Sequence, residues 1–144
     1  MPEFWRPEVF HPLSVHFPIA LLIVATVFKL LAFFFKNLVW QEAGSYLLYV
    51  GIVTCWIAIY TGDLADGAVG RTLCDPTVLK DHENGAYLVA YLFSGAAVLD
   101  LILFLKFWKW KPLLLRIAVV LVMLAGSGIL AYVGDLGARL VYQQ

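Results

Sequence analysis

Apolar residues dominate four stretches of this chain, and polar residues interrupt them at intervals suited to a bilayer. Phe17 to Phe35 is nearly unbroken, and further runs lie near 43–61, 85–105 and 113–133. Each approaches the roughly 20 residues that carry a helix across the hydrocarbon core. Lys36, Asn37 and Gln41-Glu42 form the first polar break, and Lys106, Lys109, Lys111 and Pro112 the third. Between them, 62–80 is the longest polar stretch, with Asp63, Asp66, Arg71 and Asp75 set among the breakers Gly62, Gly67, Gly70 and Pro76. Gly134 through Arg139 closes the last run.

In lipid a backbone must satisfy its own hydrogen bonds, so these runs predict helices. Two short turns and one longer loop then give an all-α, integral membrane four-helix bundle running up-down-up-down, with 1–144 as one domain. Alternation brings the start of the first span, the end of the second, the start of the third and the end of the fourth to one side. His11, His16, Asp63, Asp66, Arg71, His82, Asp135 and Arg139 therefore gather at one membrane face, together with both termini.

Composition agrees with the pattern: 62% of residues are hydrophobic, 14% are charged, and mean hydropathy is +0.86. The formal net charge is zero and no basic block exists, which leaves nucleic acid without an electrostatic footprint to bind. Charge asymmetry sets the orientation. Lys36, Lys106, Lys109, Lys111 and Arg116 crowd the face opposite the histidines, whereas acidic residues dilute the basic ones on the histidine face. Both termini are thus expected outside, which for a multi-pass protein of the bacterial inner membrane means the periplasm. Glu3, Arg6 and Glu8 precede a run of spanning length, a pattern that predicts no cleaved signal peptide. Cys55 falls in a predicted span and Cys74 in a polar loop, depths that argue against a disulfide; neither belongs to a C-x-x-C-H haem-attachment motif.

The chain has three histidines. His11 and His16 lie in HPLSVHFP, where Pro12 and Pro18 admit two helix starts. A start at Pro12 makes Pro18 a kink that leaves the Ser14 carbonyl unpaired, and a start at Pro18 puts both histidines on an extended lead-in. His82 opens the third span. HPLSVHFPIALL, the histidine at the third span and the closing GDLGARLVY together resemble the small bacterial four-helix membrane family DUF2231, over nearly the whole chain. Members of that family are sometimes joined to c-type cytochrome modules, so the resemblance implies a setting of electron transfer.

Imidazoles from two helices hold a b-type haem without covalent attachment. His16 directly precedes the first apolar run and His82 stands three residues before Gly85, so His16 and His82 are the expected ligand pair. On a continuous helix His11 and His16 lie roughly 140° apart, too far around to share an iron. His11 is left to support His16 or a propionate, or to replace His16 as ligand if the prolines bend the lead-in. Arg71 and Arg139 suit propionates, or else pair with Asp63, Asp66, Asp135 or lipid phosphate. Gly126 and Gly128, like Gly95-Ala96-Ala97, would clear room for a macrocycle or serve ordinary helix packing. A nonhaem zinc, copper or iron site at His11, His16 and Asp81-His82-Glu83 is the alternative cofactor reading.

Lys29 and Asp100 are ionisable residues inside spans, where charges are costly and normally paired, so an ion pair between them is expected. No phosphate loop, Ser-His-Asp arrangement or H-E-x-x-H helix is present, so the sequence favours an electron-transfer protein over a stand-alone enzyme. Its expected partners are the bilayer, a periplasmic c-type cytochrome or a larger respiratory or photosynthetic complex, and a homo-oligomer is compatible. Two rival readings are a metal-binding or transport protein and a structural subunit of a larger membrane assembly.

Overall fold

A computed structural model describes residues 6–35, 37–71, 75–105 and 112–142, with nothing stated for the side chains of Pro7 and Glu8. Among the described residues the chain is four helices and no strands: α1 Pro7–Phe35, α2 Leu38–Val69, α3 Thr77–Phe104 and α4 Pro112–Tyr142. All four are long and apolar enough to cross a membrane.

Each helix runs beyond its apolar stretch. α1 starts ten residues before Phe17, so Pro12 and Pro18 both sit inside it rather than at its start. The Arg6 carbonyl accepts from the Val9 and Phe10 amides at that end. α2 begins where Asn37 accepts from the Val39 amide (2.9 Å), and it continues through the polar segment to Val69. Asp63 and Asp66 are therefore helical rather than in a loop. Asp75 prepares α3 by accepting from both the backbone amide (2.9 Å) and the hydroxyl (2.5 Å) of Thr77. These two bonds, with the hydroxyl's first, hold the Asp75 carboxyl below the ordinary carboxylate range. Pro112 opens α4, where its missing N–H costs nothing.

α1 packs chiefly on α2, and α3 on α4. The two hairpins repeat the same contacts. In the first, Gly51 forms a notch for Leu22: a Cβ there would stand 2.7 Å from Leu22 Cδ2. In the second, Gly126 does the same for Phe93, at 2.8 Å from Cε2. The shift of 71 residues that relates Lys29 to Asp100 also relates Leu22 to Phe93 and His11 to His82. A second fixed shift relates Gly51 to Gly126, Ala58 to Val133 and Gly62 to Gly137. The bundle is thus two similar helical hairpins that face each other about a local two-fold relation. Leu22, Leu48, Phe93 and Met123 are fully buried where the copies meet.

Lys29 and Asp100, on equivalent positions of the two copies, meet as a buried ion pair with a separation of 2.5 Å and exposures of 3% and 1%. Lys29 Nζ also donates to Ser45 Oγ (2.6 Å) and the Gln41 carbonyl (3.2 Å), and Tyr49 donates to Asp100 Oδ2 (3.0 Å). The copies differ here in a complementary way. The long Lys29 stem lies against Gly44, whose absent Cβ would be 3.2 Å from Lys29 Cγ, while the matching position beside the shorter Asp100 copy is the buried Val119.

Candidate functional site: two facing histidines

The two-fold relation that pairs Lys29 with Asp100 at one end pairs His11 with His82 at the other. Helix lengths explain their common depth: counted from the start of its own helix, each lies early in the second turn. Their ring centroids are 6.4 Å apart and their planes are inclined at 80°.

Each ring is fixed by the same device. His11 Nδ1 lies 3.0 Å from the Ala58 carbonyl, and His82 Nδ1 lies 3.0 Å from the Val133 carbonyl, the equivalent residue on α4. A carbonyl only accepts, so Nδ1 carries the proton in both rings and Nε2 of the neutral imidazole presents its lone pair. Among the described residues neither Nε2 has a hydrogen-bond partner. One turn beyond each carbonyl a glycine makes room for the ring edge. A Cβ at Gly62 would sit 2.9 Å from His11 Cε1, and one at Gly137 would sit 3.1 Å from His82 Cε1.

The copies diverge in one respect. His11 Nδ1 also reaches Thr61 Oγ1 (3.2 Å), which contacts Ser14 Oγ (3.2 Å) and donates to the Ala58 carbonyl (2.8 Å). The matching residues beside His82 are Leu136 and Gly85, which bring no hydroxyl. His11 is therefore the more polar-supported of the two rings.

His82 thus faces His11, not His16. His16 is on the exposed side of α1, and its Nδ1 donates back to the Pro12 carbonyl of its own helix (2.7 Å). The angular separation read from the sequence holds, but it turns His11 inward and His16 outward. Depth in the bundle is set by the helix start at Pro7, not by the first residue of the apolar run.

Gly126 and Gly128 are not at the histidines either. Gly126 is about 10 Å up α4 from Val133 at 1.5 Å per residue and is filled by the Phe93 ring, while a Cβ at Gly128 would meet nothing within 4 Å. Gly62 and Gly137 are the glycines at the site. Arg71 and Arg139 are exposed at the histidine end: Arg71 Nε donates to the Gly67 carbonyl (2.6 Å), and Arg139 pairs with Asp135 (2.7 Å). Asp81 is exposed, and Glu83 is taken by Lys80 at 2.6 Å. Nearby, Tyr87 donates to Asp63 (2.9 Å), and Trp56, Tyr87 and Tyr91 form a ladder of ring contacts between α2 and α3. Cys55 is buried, and Cys74 lies outside the described residues.

A family profile described as a predicted membrane protein, DUF2231, matches residues 7–144. The chain belongs to this family. The match to DUF2231 spans all four helices and both histidines of the facing pair. Comparison with curated proteins and with solved structures gives no match. For this DUF2231 protein the membrane class and the four-helix architecture are established, and the chemistry rests on the geometry just described.

Proposed function

We propose that this protein is a membrane b-type cytochrome that relays electrons, with His11 and His82 as the residues that would hold a non-covalent haem. The observation that carries the reading is the pair of Nδ1–H to carbonyl bonds, which fixes both imidazoles in the tautomer whose Nε2 is free to ligate. Such second-sphere bonds are the usual way a protein orients a ligating histidine and raises its basicity. The spacing fits as well. The ring centroids are 6.4 Å apart, within reach of two imidazoles that would share one ion through metal–nitrogen bonds of about 2 Å.

When bound, the haem would supply a one-electron iron couple. The chain's own part is to hold two rings on opposite helical hairpins and to shape their surroundings. Arg71 and Arg139, exposed at that end, would be suited to the haem propionates. A pair of imidazoles suits haem better than a tetrahedral zinc, which takes three or four protein ligands. Among the described residues no group of three or more His, Cys, Asp or Glu is placed to hold an ion. Transport is disfavoured because Leu22, Leu48, Phe93 and Met123 fill the interior between the two polar ends.

The charge asymmetry of the loops supports a periplasmic histidine end in a bacterial inner membrane, where a c-type cytochrome or a larger respiratory or photosynthetic complex is the natural exchange partner. Purification after expression with added haem precursor, followed by oxidised and reduced absorption spectra, tests the proposal. The expected result is about one haem per chain with a reversible change. Protein that is folded and haem-replete in supply yet colourless would refute it, and stoichiometric metal without porphyrin would support the nonhaem reading instead.

A further inference from the structure

At the end opposite the histidines a cleft of about 270 Å³ opens beside the Lys29–Asp100 pair, between α1, α3 and α4 with Gln41 of α2 at its floor. Its polar floor is already saturated. All three Lys29 Nζ protons are used by Asp100, Ser45 and the Gln41 carbonyl, and Asp100 accepts from Lys29, Tyr49 and Gln41. These two charges cancel. The remaining charge on the lining is Arg116, which is exposed and, among the described residues, has no ion-pair partner. Its guanidinium offers donors only, in a planar fork that matches an oxyanion. The walls above it, including Phe33, Leu103, Leu113 and Val120, are apolar.

Spare donors, a net positive charge and apolar walls define the complement: an oxyanion carried on a hydrocarbon chain. We infer that this cleft binds an anionic amphiphile, with its phosphate or carboxylate head on Arg116 and part of its chain against the α1–α4 wall. The proposal is independent of the histidine site. A bare anion would share the head chemistry but would make no use of the walls, and this difference separates a lipid from free phosphate.

The test uses the full chain in detergent, titrated with phosphatidylglycerol, phosphatidylcholine or inorganic phosphate, and reads bound adducts by native mass spectrometry and thermal stability by melting. Phosphatidylglycerol is expected to be retained and to raise the melting temperature, phosphatidylcholine and phosphate far less. Arg116→Gln should lower retention about tenfold, in keeping with loss of one charge-assisted contact, and Val120→Trp, which fills the cleft, should lower it similarly. Lys80→Gln, at an exposed cation of the other end, should leave phosphatidylglycerol retention unchanged, and melting without lipid shows whether each variant is folded. Equal retention of the two lipids, equal stabilisation by phosphate alone, or folded Arg116→Gln or Val120→Trp protein that keeps its phosphatidylglycerol would each overturn the assignment.

Discussion

At the scale of single residues, two pairs of side chains on equivalent positions carry the chemistry. Lys29 and Asp100 are held by five hydrogen bonds and are almost fully buried, so removing one partner strands the other. Lys29→Met is expected to destabilise the bundle by about 3–5 kcal/mol, and Lys29→Met combined with Asp100→Leu to recover most of that loss. Unfolding titrations of the two variants check the difference, and equal losses would mean that the pair's charge is not what matters. Asp75 gives a pH-dependent counterpart outside the spans. Its depressed carboxyl stabilises the start of α3 when ionised, so the contribution is present above the ordinary carboxylate range and fades as pH falls through the lowered value. The protection factor of the Thr77 amide, its exchange rate corrected for intrinsic pH dependence, should fall under acid in the wild type and be low throughout in Asp75→Ala. The ion pair was findable in the sequence because ionised residues inside apolar runs are rare. The histidine partner was not, because it depends on where α1 begins, and Pro12 and Pro18 hid a helix start at Pro7.

At the scale of elements, glycines decide how closely the helices of each hairpin approach. Gly126 accepts the Phe93 ring, so Gly126→Leu should overpack the core and cost about 1–3 kcal/mol, whereas Gly128→Leu, facing open space, should be close to neutral. Unfolding midpoints for the two variants give the comparison. Gly62 acts on the site instead of the core: a branched side chain there collides with the His11 ring edge. Gly62→Val is expected to lower haem content about tenfold, the range seen for disturbed second-sphere support, while Gly67→Val, whose Cβ would stand 4.0 Å from Arg71 Nη2, should leave it unchanged. Haem per polypeptide, by pyridine extraction, separates them. These glycines carried no local signal, since small residues are common in membrane helices whether or not a ligand is near. Gly-Asp-Leu does occur at both 62–64 and 134–136, yet Gly62 is matched in packing by Gly137, not by Gly134. That near-turn offset disguises the repeat in the linear sequence.

At the scale of the whole molecule, the fold follows from hydropathy, and the site follows from the matched packing of two similar hairpins. Apolar run length fixed the number of helices and their alternation, because lipid offers the backbone few alternatives. It could not fix the helix ends: α2 carries Asp63 and Asp66 past the apolar stretch, and α1 carries His11 in before it. The duplicated hairpin then places one matched pair at each end, His11 with His82 and Lys29 with Asp100, about 27 Å apart along α1. Any ligand on the histidine pair therefore answers to two helical hairpins at once, and His16, on the outer side of α1, has no part in it. The most direct measurement is the haem-to-protein ratio and reduced-minus-oxidised spectrum of purified His11→Ala, His16→Ala and His82→Ala. With His11 and His82 as the ligands, the haem spectrum is lost in His11→Ala and His82→Ala and keeps its wild-type form in His16→Ala; loss in His16→Ala with retention in His11→Ala would contradict this assignment.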